Sequence, residues 1–260
     1  MQEFEASKKD LIVIILAGGM GKRMQSDLPK VLHHIGNEPM IVKVIKQAKQ
    51  LNPTKIVIVV GQYRDIIQST ISKYVPLSSI EFIVQSIPMG TGHALQCCHN
   101  FLLQHTYSKV LILSGDVPLI TAQTMQGLIV AEQSGCSIMT THLQDPAGYG
   151  RIVIDQHGFF QEIVEEKDCT EEQREITEVN CGIYLFDCIQ LCKYLPKLEK
   201  NNSQGEYYLT DIIRFIHHYE HARVHRLCIP QEKQIEIMGV NTPEQLAQLA
   251  DMACFASILN

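Results

Sequence analysis

Short apolar runs alternate with amphipathic stretches along the first half of the chain, and this alternation limits the possible folds strongly. The runs are rich in Val, Ile and Leu, as strands buried on both faces of a parallel sheet are. Strands are predicted at residues 11–16, 55–60, 80–84, 110–113 and 137–141. Between them, apolar spacings of three and four predict crossover helices at residues 39–51, 63–74, 92–105 and 121–134. The pattern predicts a doubly wound α/β sheet.

The pattern changes after about residue 145. Strands are predicted at residues 151–154, 158–164 and 179–186, and helices at residues 188–194 and 208–218. The tail, residues 242–258, has an apolar helical stripe through Leu246, Leu249 and Phe255, with Asn241 and Thr242 as capping candidates. No proline-rich or glycine-serine linker separates the halves. We therefore expect one domain over residues 1–260, with an α/β half at about 11–144 and an α+β half at about 145–260.

Composition excludes several classes of protein. Hydrophobic residues make up 45% of the chain and charged residues 19%, as in compact globular proteins. The formal net charge of −6 gives no general attraction to nucleic acid or to an anionic membrane, so we expect small-molecule ligands. The apolar run that begins at Leu11 is too short to span a membrane. Nine scattered cysteines without a CxxC pair favour reduced thiols and a cytoplasmic protein.

A glycine-rich segment follows the first predicted strand directly. Residues 16–30 read LAGGMGKRMQSDLPK, with three glycines at the carboxyl end of a strand, where open α/β sheets bind ligands. Backbone N–H groups can approach phosphate oxygens there, and Arg23 and Lys30 add positive charge. The spacing fits neither a P-loop nor GxGxxG. A phosphate site is the interpretation we favour, and a tight turn without a ligand is the alternative.

A second motif, Ser114-Gly115-Asp116, ends the predicted strand at 110–113. A carboxylate at this position can hold Mg²⁺, which bridges phosphate oxygens. Taken alone, Asp116 would be interpreted first as a turn or N-cap aspartate. Its position at the same edge of the sheet as residues 16–30 favours the metal interpretation.

Several longer motifs resemble the sugar nucleotidyltransferases. They are the segment at 16–30, PMGTGHALQ at 88–96 and SGDVPLI at 114–120. Four later motifs resemble the uridylyltransferase domain of the N-acetylglucosamine-1-phosphate uridylyltransferases: GYGRIV at 148–153, IVEEKDCTEEQREITEVNCG at 163–182, NNSQGEYYLTDII at 201–213 and GVN at 239–241. The likeness is collinear from about residue 11 to 249.

The resemblance implies a Rossmann-like mixed sheet with a nucleotide-binding half and a sugar-binding half, and a function for individual residues. It places UTP on Leu16, Ala17, Gly18, Gly19, Lys30, Gln85, Gly90 and Thr91. It gives catalytic roles to Arg23, Lys30 and Asp116, and it places Mg²⁺ on Asp116 and Asn241. The sugar would contact Gly150, Glu165 and Asn180. The amide of Gln85 suits uracil, which offers one N–H donor and two carbonyl acceptors.

The implied reaction joins UTP and N-acetylglucosamine 1-phosphate to give UDP-N-acetylglucosamine and pyrophosphate. The sugar phosphate is mostly ionised at neutral pH, because its second pKa is about 6, so it needs no general base. It would attack the α-phosphorus in line, aided by Mg²⁺ and Lys30, while Arg23 stabilises pyrophosphate. The alternatives are a nucleotidyltransferase that uses dTTP or another sugar 1-phosphate, and a non-catalytic sugar-nucleotide sensor. A homo-oligomer of unknown order stays open.

Three residues and one missing segment depart from the resemblance. Gly18 replaces a usual alanine, Lys22 a common threonine and Ser114 a frequent tyrosine. Lys22 could bind phosphate or face solvent. Bifunctional bacterial members continue into hexapeptide repeats that carry an acetyltransferase, and the sequence ends at Asn260 without them, so we expect no acetyltransferase activity.

Some polar residues have equally good structural explanations. The histidines at 217, 218, 221 and 225 are interpreted as a solvated surface rather than a zinc site. Tyr207 and Tyr208 could be core residues or a wall of the sugar site. His93 could contact phosphate or simply occupy the first turn of a helix.

Overall fold

The computed structural model describes residues 10–258 except Met20, residues 132–134 and Ala222, and for residues 253–258 it describes the backbone alone. Its strands are β1 (Leu11–Ala17), β2 (His34–Ile35), β3 (Glu38–Pro39), β4 (Lys55–Val60), β5 (Ile80–Val84), β6 (Lys109–Ser114), β7 (Cys136–His142), β8 (Arg151–Ile154), β9 (Phe160–Val164), β10 (Glu178–Asp187) and β11 (His225–Ile229). Its α-helices are α1 (Met40–Lys49), α2 (Arg64–Ile71), α3 (Thr91–Cys97), α4 (His99–Leu102), α5 (Ala122–Ala131), α6 (Glu171–Arg174), α7 (Cys188–Tyr194), α8 (Thr210–Glu220) and α9 (Pro243–Ile258). Short 3-10 helices cover Lys22–Met24, Lys30–Leu32, Glu166–Asp168, Leu195–Lys197 and Gln231–Ile237.

The main sheet is mixed, with the path β11-β7-β10-β6-β1-β4-β5 and with β8 and β9 attached to β10. Strands β6, β1, β4 and β5 run parallel to one another, whereas β10 runs antiparallel to both β6 and β7. Both halves of the sequence therefore contribute strands to one sheet. The predicted Rossmann-like mixed α/β fold is confirmed.

The sheet is buried on both faces at its centre. Alternate residues of β1 enter two different apolar clusters: Ile12 and Ile14 pack on one face, and Val13 and Ile15 on the other. All four side chains are fully buried, and each contributes roughly 1.5–3 kcal/mol by leaving water. This burial fixes β1, whose carboxyl end carries the glycine-rich segment.

The prediction of burial on both faces is wrong for β5. This strand pairs with β4 alone and lies at the edge of the sheet, so its residues are partly exposed and Val84 is 40% exposed. An apolar run gives no information on how many neighbours a strand has, because any hydrophobic residue can be tolerated at an edge.

The helices differ from the predictions mainly at their ends. The helix predicted at 92–105 is two short helices, α3 and α4. The helix predicted at 208–218 begins two residues later, at Thr210, because Tyr207 and Leu209 bond to the segment around Gly90 instead. In the tail, Leu246 and Leu249 pack against other apolar residues as expected, whereas the side chain of Phe255 lies outside the described part of the structure. Positions 132–134, the end of the helix predicted at 121–134, also lie outside it.

The carboxyl ends of the parallel strands meet at one edge of the sheet. Leu16 of β1 is in register with Ser114 of β6, and β4 and β5 end beside them at Val60 and Val84. Because β10 is antiparallel to β6, its beginning, with Asn180, lies toward that edge. None of the described helices is long and apolar enough to cross a membrane.

Candidate active site

The glycine-rich segment folds back so that Gly21 lies against Lys30. Gly21 has a φ of 59°, and a Cβ at this position would lie 2.6 Å from the Cβ of Lys30. A side chain here would therefore meet both backbone strain and a steric clash. The close approach places the start of the 3-10 helix Lys30–Leu32 beside Gly21, although the two residues are nine positions apart in the sequence.

The ammonium group of Lys30 joins two distant parts of the chain. Its Nζ contacts Oδ2 of Asp116 and lies 3.0 Å from Oδ1 of Asn241. The backbone N–H of Val240 also donates to the carbonyl of Asp116 at 2.9 Å, which fixes Asn241 beside β6. Ser114 donates to the other carboxylate oxygen of Asp116 at 2.6 Å. Three predicted residues thus converge on one charged centre.

Gln85 closes the opposite end of the site. It follows β5, its backbone N–H donates to Val60 at 2.8 Å, and its side chain is buried. The amide Nε2 donates to the carbonyl of Gly90 at 3.1 Å and contacts Nδ1 of His93 at 3.0 Å. The structure therefore places His93 on the amide of Gln85.

Gly90 is the point where the later motif at 201–213 crosses the earlier one. Its φ is 101°, and a Cβ here would lie 2.5 Å from the carbonyl oxygen of Tyr207. Backbone hydrogen bonds lie on both sides of this contact: Tyr207 N–H donates to Met89 at 2.9 Å, and Gly92 N–H donates to Tyr207 at 2.8 Å. Only a glycine allows the two segments to approach this closely.

One cavity connects these groups and has a volume of about 280 Å³. It is lined by all eight residues that the sequence assigned to the nucleotide: Leu16, Ala17, Gly18, Gly19, Lys30, Gln85, Gly90 and Thr91. Asp116 lines it as well. A cavity with a charged end and a buried amide end suits an elongated ligand with phosphate at one end and a polar ring at the other.

The three residues assigned to the sugar also lie together. The N–H of Asn180 donates to the carbonyl of Gly150 at 2.8 Å, and a Cβ on Gly150 would lie 3.4 Å from Oε2 of Glu165. Asn180 Nδ2 donates to the hydroxyl of Tyr184 at 2.7 Å. Burial raises the pKa of the Glu165 carboxyl, and a hydrogen bond from Thr210 at 3.3 Å partly opposes that rise.

Two consecutive residues link this cluster to the cavity that contains Lys30 and Gln85. The backbone N–H of Leu209 donates to the hydroxyl of Thr91 at 3.2 Å. The side-chain hydroxyl of the following residue, Thr210, donates to the carboxylate of Glu165. The start of α8 therefore contacts both groups. A sugar phosphate and a nucleotide that occupied these two places would be neighbours.

Other predicted residues lie outside the cavity lining. Arg23 and Lys22 are exposed on the short helix Lys22–Met24. Asn241 reaches the site through Lys30. Tyr208 donates to Asp168 at 3.1 Å and does not line this cavity, whereas Tyr207 lies beside the ring of His93.

Two polar residues of the cavity lining lie in motifs of the sequence but were not assigned to the site. Glu206 and Ser114 both line it. Ser114 precedes a recognised motif residue and could have been found from its position two residues before Asp116. Glu206 could not, because its place depends on the crossing at Gly90. Among the described residues, no group of three or more His, Cys, Asp and Glu side chains is arranged to hold a metal, the histidines at 217–225 included.

The donor set at Lys30 fits a hard divalent cation. A carboxylate oxygen of Asp116 and the amide oxygen of Asn241 already converge on one positive group. Mg²⁺ prefers oxygen ligands and is commonly held by one or two protein oxygens together with substrate phosphates. Two protein oxygens beside a cavity with room for phosphate groups match that arrangement.

Comparisons with known proteins agree on the family. The profile of the family described as nucleotidyl transferase matches residues 12–227. A "Probable UDP-N-acetylglucosamine pyrophosphorylase" of Acanthamoeba polyphaga mimivirus is 43% identical over 246 residues, which cover 94% of this chain and 96% of that protein. The "Bifunctional protein GlmU" of Nitrosococcus oceani is 42% identical over 241 residues, or 91% of this chain and 51% of that protein. The chain thus spans about half the length of such bifunctional relatives.

A solved structure from Bacillus anthracis, assigned as a glucose-1-phosphate thymidylyltransferase, superposes with a TM-score of 0.70. The two sequences are 22% identical, and the match covers 94% of this chain and 95% of the other. At this identity the likeness supports the fold alone.

Proposed function

The chain belongs to the nucleotidyl transferase family, and from that premise we propose that it is a uridylyltransferase. Its substrates would be UTP and N-acetylglucosamine 1-phosphate, and its products UDP-N-acetylglucosamine and pyrophosphate. The relatives named for this activity support the proposal. The observation that carries it is the single cavity of about 280 Å³ whose lining contains all eight residues assigned to the nucleotide.

The charged end of the cavity would hold the phosphates. Lys30 brings a positive charge to the cavity wall, and Arg23 is exposed on the segment that follows the glycines. Asp116 and Asn241 would hold Mg²⁺, which supplies neutralisation and alignment of the phosphate oxygens when bound. The buried amide of Gln85 would read the uracil ring.

The cluster of Gly150, Glu165 and Asn180 would bind the sugar. Carboxylate and amide oxygens accept hydrogen bonds from sugar hydroxyls, and an amide nitrogen can donate to the N-acetyl carbonyl. The hydrogen bonds through Leu209 and Thr210 connect this cluster to Thr91. This arrangement would bring the phosphate of the sugar toward the α-phosphate of UTP.

The chemistry then requires positioning and charge. An ionised oxygen of the sugar phosphate would attack the α-phosphorus, and the bond from that phosphorus to the bridging oxygen would break. Pyrophosphate leaves with the electron pair. Lys30 would neutralise charge that develops on the α-phosphoryl oxygens, and Arg23 would stabilise the leaving pyrophosphate.

A substrate matrix tests the proposal. Pyrophosphate release is measured with UTP, dTTP, CTP and ATP against the 1-phosphates of N-acetylglucosamine, glucosamine, N-acetylgalactosamine and glucose, with and without Mg²⁺. We expect the fastest turnover with UTP, N-acetylglucosamine 1-phosphate and Mg²⁺, and its loss in Asp116→Asn. Fastest turnover with glucose 1-phosphate or dTTP would refute the substrate assignment, and no turnover in any combination would favour a sugar-nucleotide sensor.

A further inference from the structure

The orientation of the Gln85 amide is fixed by its neighbours. Its Nε2 lies 3.1 Å from the carbonyl oxygen of Gly90. A carbonyl oxygen can only accept a hydrogen bond, so this contact identifies the nitrogen end of the amide. The second hydrogen on Nε2 is directed at Nδ1 of His93, 3.0 Å away. Both donors of the amide are therefore engaged within the protein.

The oxygen of the same amide is left for a ligand. Oε1 of Gln85 faces Gly18, since a Cβ on Gly18 would lie 3.0 Å from it, and both residues line the nucleotide cavity. No described residue donates a hydrogen bond to this oxygen. Toward the cavity, Gln85 therefore presents an acceptor and no donor.

His93 is held in the orientation that accepts from Gln85. Its Nδ1 must carry a lone pair, so in the neutral ring the hydrogen is on Nε2. That Nε2 lies 4.0 Å from the sulfur of Cys97, and the ring lies beside Tyr207 with centroids 6.0 Å apart and planes at 25°. Contacts from α3 and from the segment that crosses Gly90 thus support one ring position.

We propose that His93 is a positioning residue that sets the nucleobase specificity of this site. By accepting the second amide hydrogen, it keeps Gln85 as an acceptor toward the base. An acceptor selects a pyrimidine whose ring carries an N–H, as uracil and thymine do at N3, and disfavours cytosine, whose N3 is itself an acceptor. The inference rests on the proposed function only for the identity of the natural nucleotide.

Thymine provides an internal control, because its N3–H edge is the same as that of uracil. Removing the acceptor at His93 leaves one amide hydrogen of Gln85 without a partner, so that only the carbonyl of Gly90 holds the amide and its NH₂ group can rotate toward a base acceptor. We expect the ratio of affinities for uridine and cytidine nucleotides to fall by about tenfold. This is the effect of one hydrogen bond that uracil makes with the site and cytosine does not. The preference for uridine over thymidine should not change.

The experiment compares three variants. His93→Leu keeps an apolar side chain of similar bulk without an acceptor. His93→Asn supplies Oδ1 near the place of Nδ1 and should restore selectivity to within about threefold of wild type. His105→Ala removes a histidine that contacts Phe101 outside the nucleotide cavity and should change nothing. Dissociation constants for UMP, CMP and dTMP are measured by calorimetry, and kcat/KM by pyrophosphate release.

The readouts separate this inference from the proposed function. If His93→Leu weakens UMP and CMP equally, or if His93→Asn behaves as His93→Leu does, His93 has only a structural role and the inference is wrong. If the UMP to CMP ratio changes as expected but no sugar 1-phosphate is turned over, the inference stands and the proposed reaction is wrong.

Discussion

Lys30 and Asn241 are 211 positions apart in the sequence, yet the ammonium nitrogen of one lies 3.0 Å from the amide oxygen of the other. Lys30 also contacts Asp116, so the first, middle and last parts of the chain meet at one charged group. The backbone bond from Val240 to Asp116 holds this arrangement from the side of the C-terminal segment. The charged end of the cavity therefore depends on contacts across the whole fold.

Replacing Lys30 tests its role at this centre. We expect Lys30→Met to lower kcat by roughly a hundredfold, because charge developing on the phosphoryl oxygens loses a fixed positive group. Lys46→Met is the matched control, since Lys46 pairs with Glu38 on an exposed surface and should leave kcat unchanged. Both are measured by pyrophosphate release at saturating substrates. Equal kcat values for the two variants would contradict the role.

The side chain of Arg23 is exposed, so replacing it should alter catalysis without altering the stability of the fold. We expect Arg23→Ala to change the free energy of unfolding by less than about 0.5 kcal/mol and to reduce kcat/KM for UTP by at least about tenfold. Urea unfolding and steady-state kinetics measure the two quantities. Arg64→Ala, at the exposed start of α2, should alter neither. Wild-type kinetics for Arg23→Ala would remove this residue from the mechanism.

Gly90→Ala should destabilise the protein through both strain and a clash. Its φ of 101° costs an alanine about 1–3 kcal/mol, and the new Cβ would also press on the carbonyl of Tyr207. Gly148→Ala isolates the strain, because Gly148 has a φ of 85° and nothing within 4 Å of the added Cβ. Chemical unfolding should show a larger loss for Gly90→Ala, together with weaker UMP binding. A loss no greater than that of Gly148→Ala would mean that residues 206–209 move freely.

Glu165→Gln should change stability in a pH-dependent way. Burial raises the pKa of Glu165 above its usual value of 4.5, so ionisation costs stability as pH rises through the folded-state value. At a pH below 4.5 the variant and wild type should have similar free energies of unfolding. At a pH above the raised pKa of Glu165, the variant should be more stable than wild type. Unfolding in urea across that range measures the difference.

The neighbouring carboxyl provides the control for this pH series. The hydrogen bond from Arg151 lowers the pKa of Glu166. The ionised Glu166 carboxylate therefore stabilises the fold at a pH above the usual pKa of 4.5, and this stabilisation is lost as pH falls through the lowered pKa. Glu166→Gln should therefore become less stable than wild type as pH rises. If both variants responded to pH in the same direction, the assigned causes of the two shifts would be incorrect.

The sequence determined the strands of the nucleotide half and the identity of most site residues. Apolar runs such as residues 55–60 can be recognised locally, because hydrophobic side chains must leave water whatever their neighbours are. The glycine-rich segment, together with the six further motifs between residues 88 and 241, carried the resemblance. From these alone the fold class could be predicted, together with eight candidate residues that line one cavity in the structure.

Only the tertiary structure decided which residues meet. Periodicity could not place β10 between β6 and β7, nor put β5 at an edge, because strand order is set by long-range pairing. It could not decide whether His93 contacts phosphate or simply occupies the first turn of a helix, and the structure shows that its partner is the amide of Gln85. The start of α8 and the place of Glu206 depend on the crossing at Gly90, a contact between segments more than a hundred residues apart. The local sequence specifies the chemistry of each residue, whereas distances between groups come from packing the whole chain.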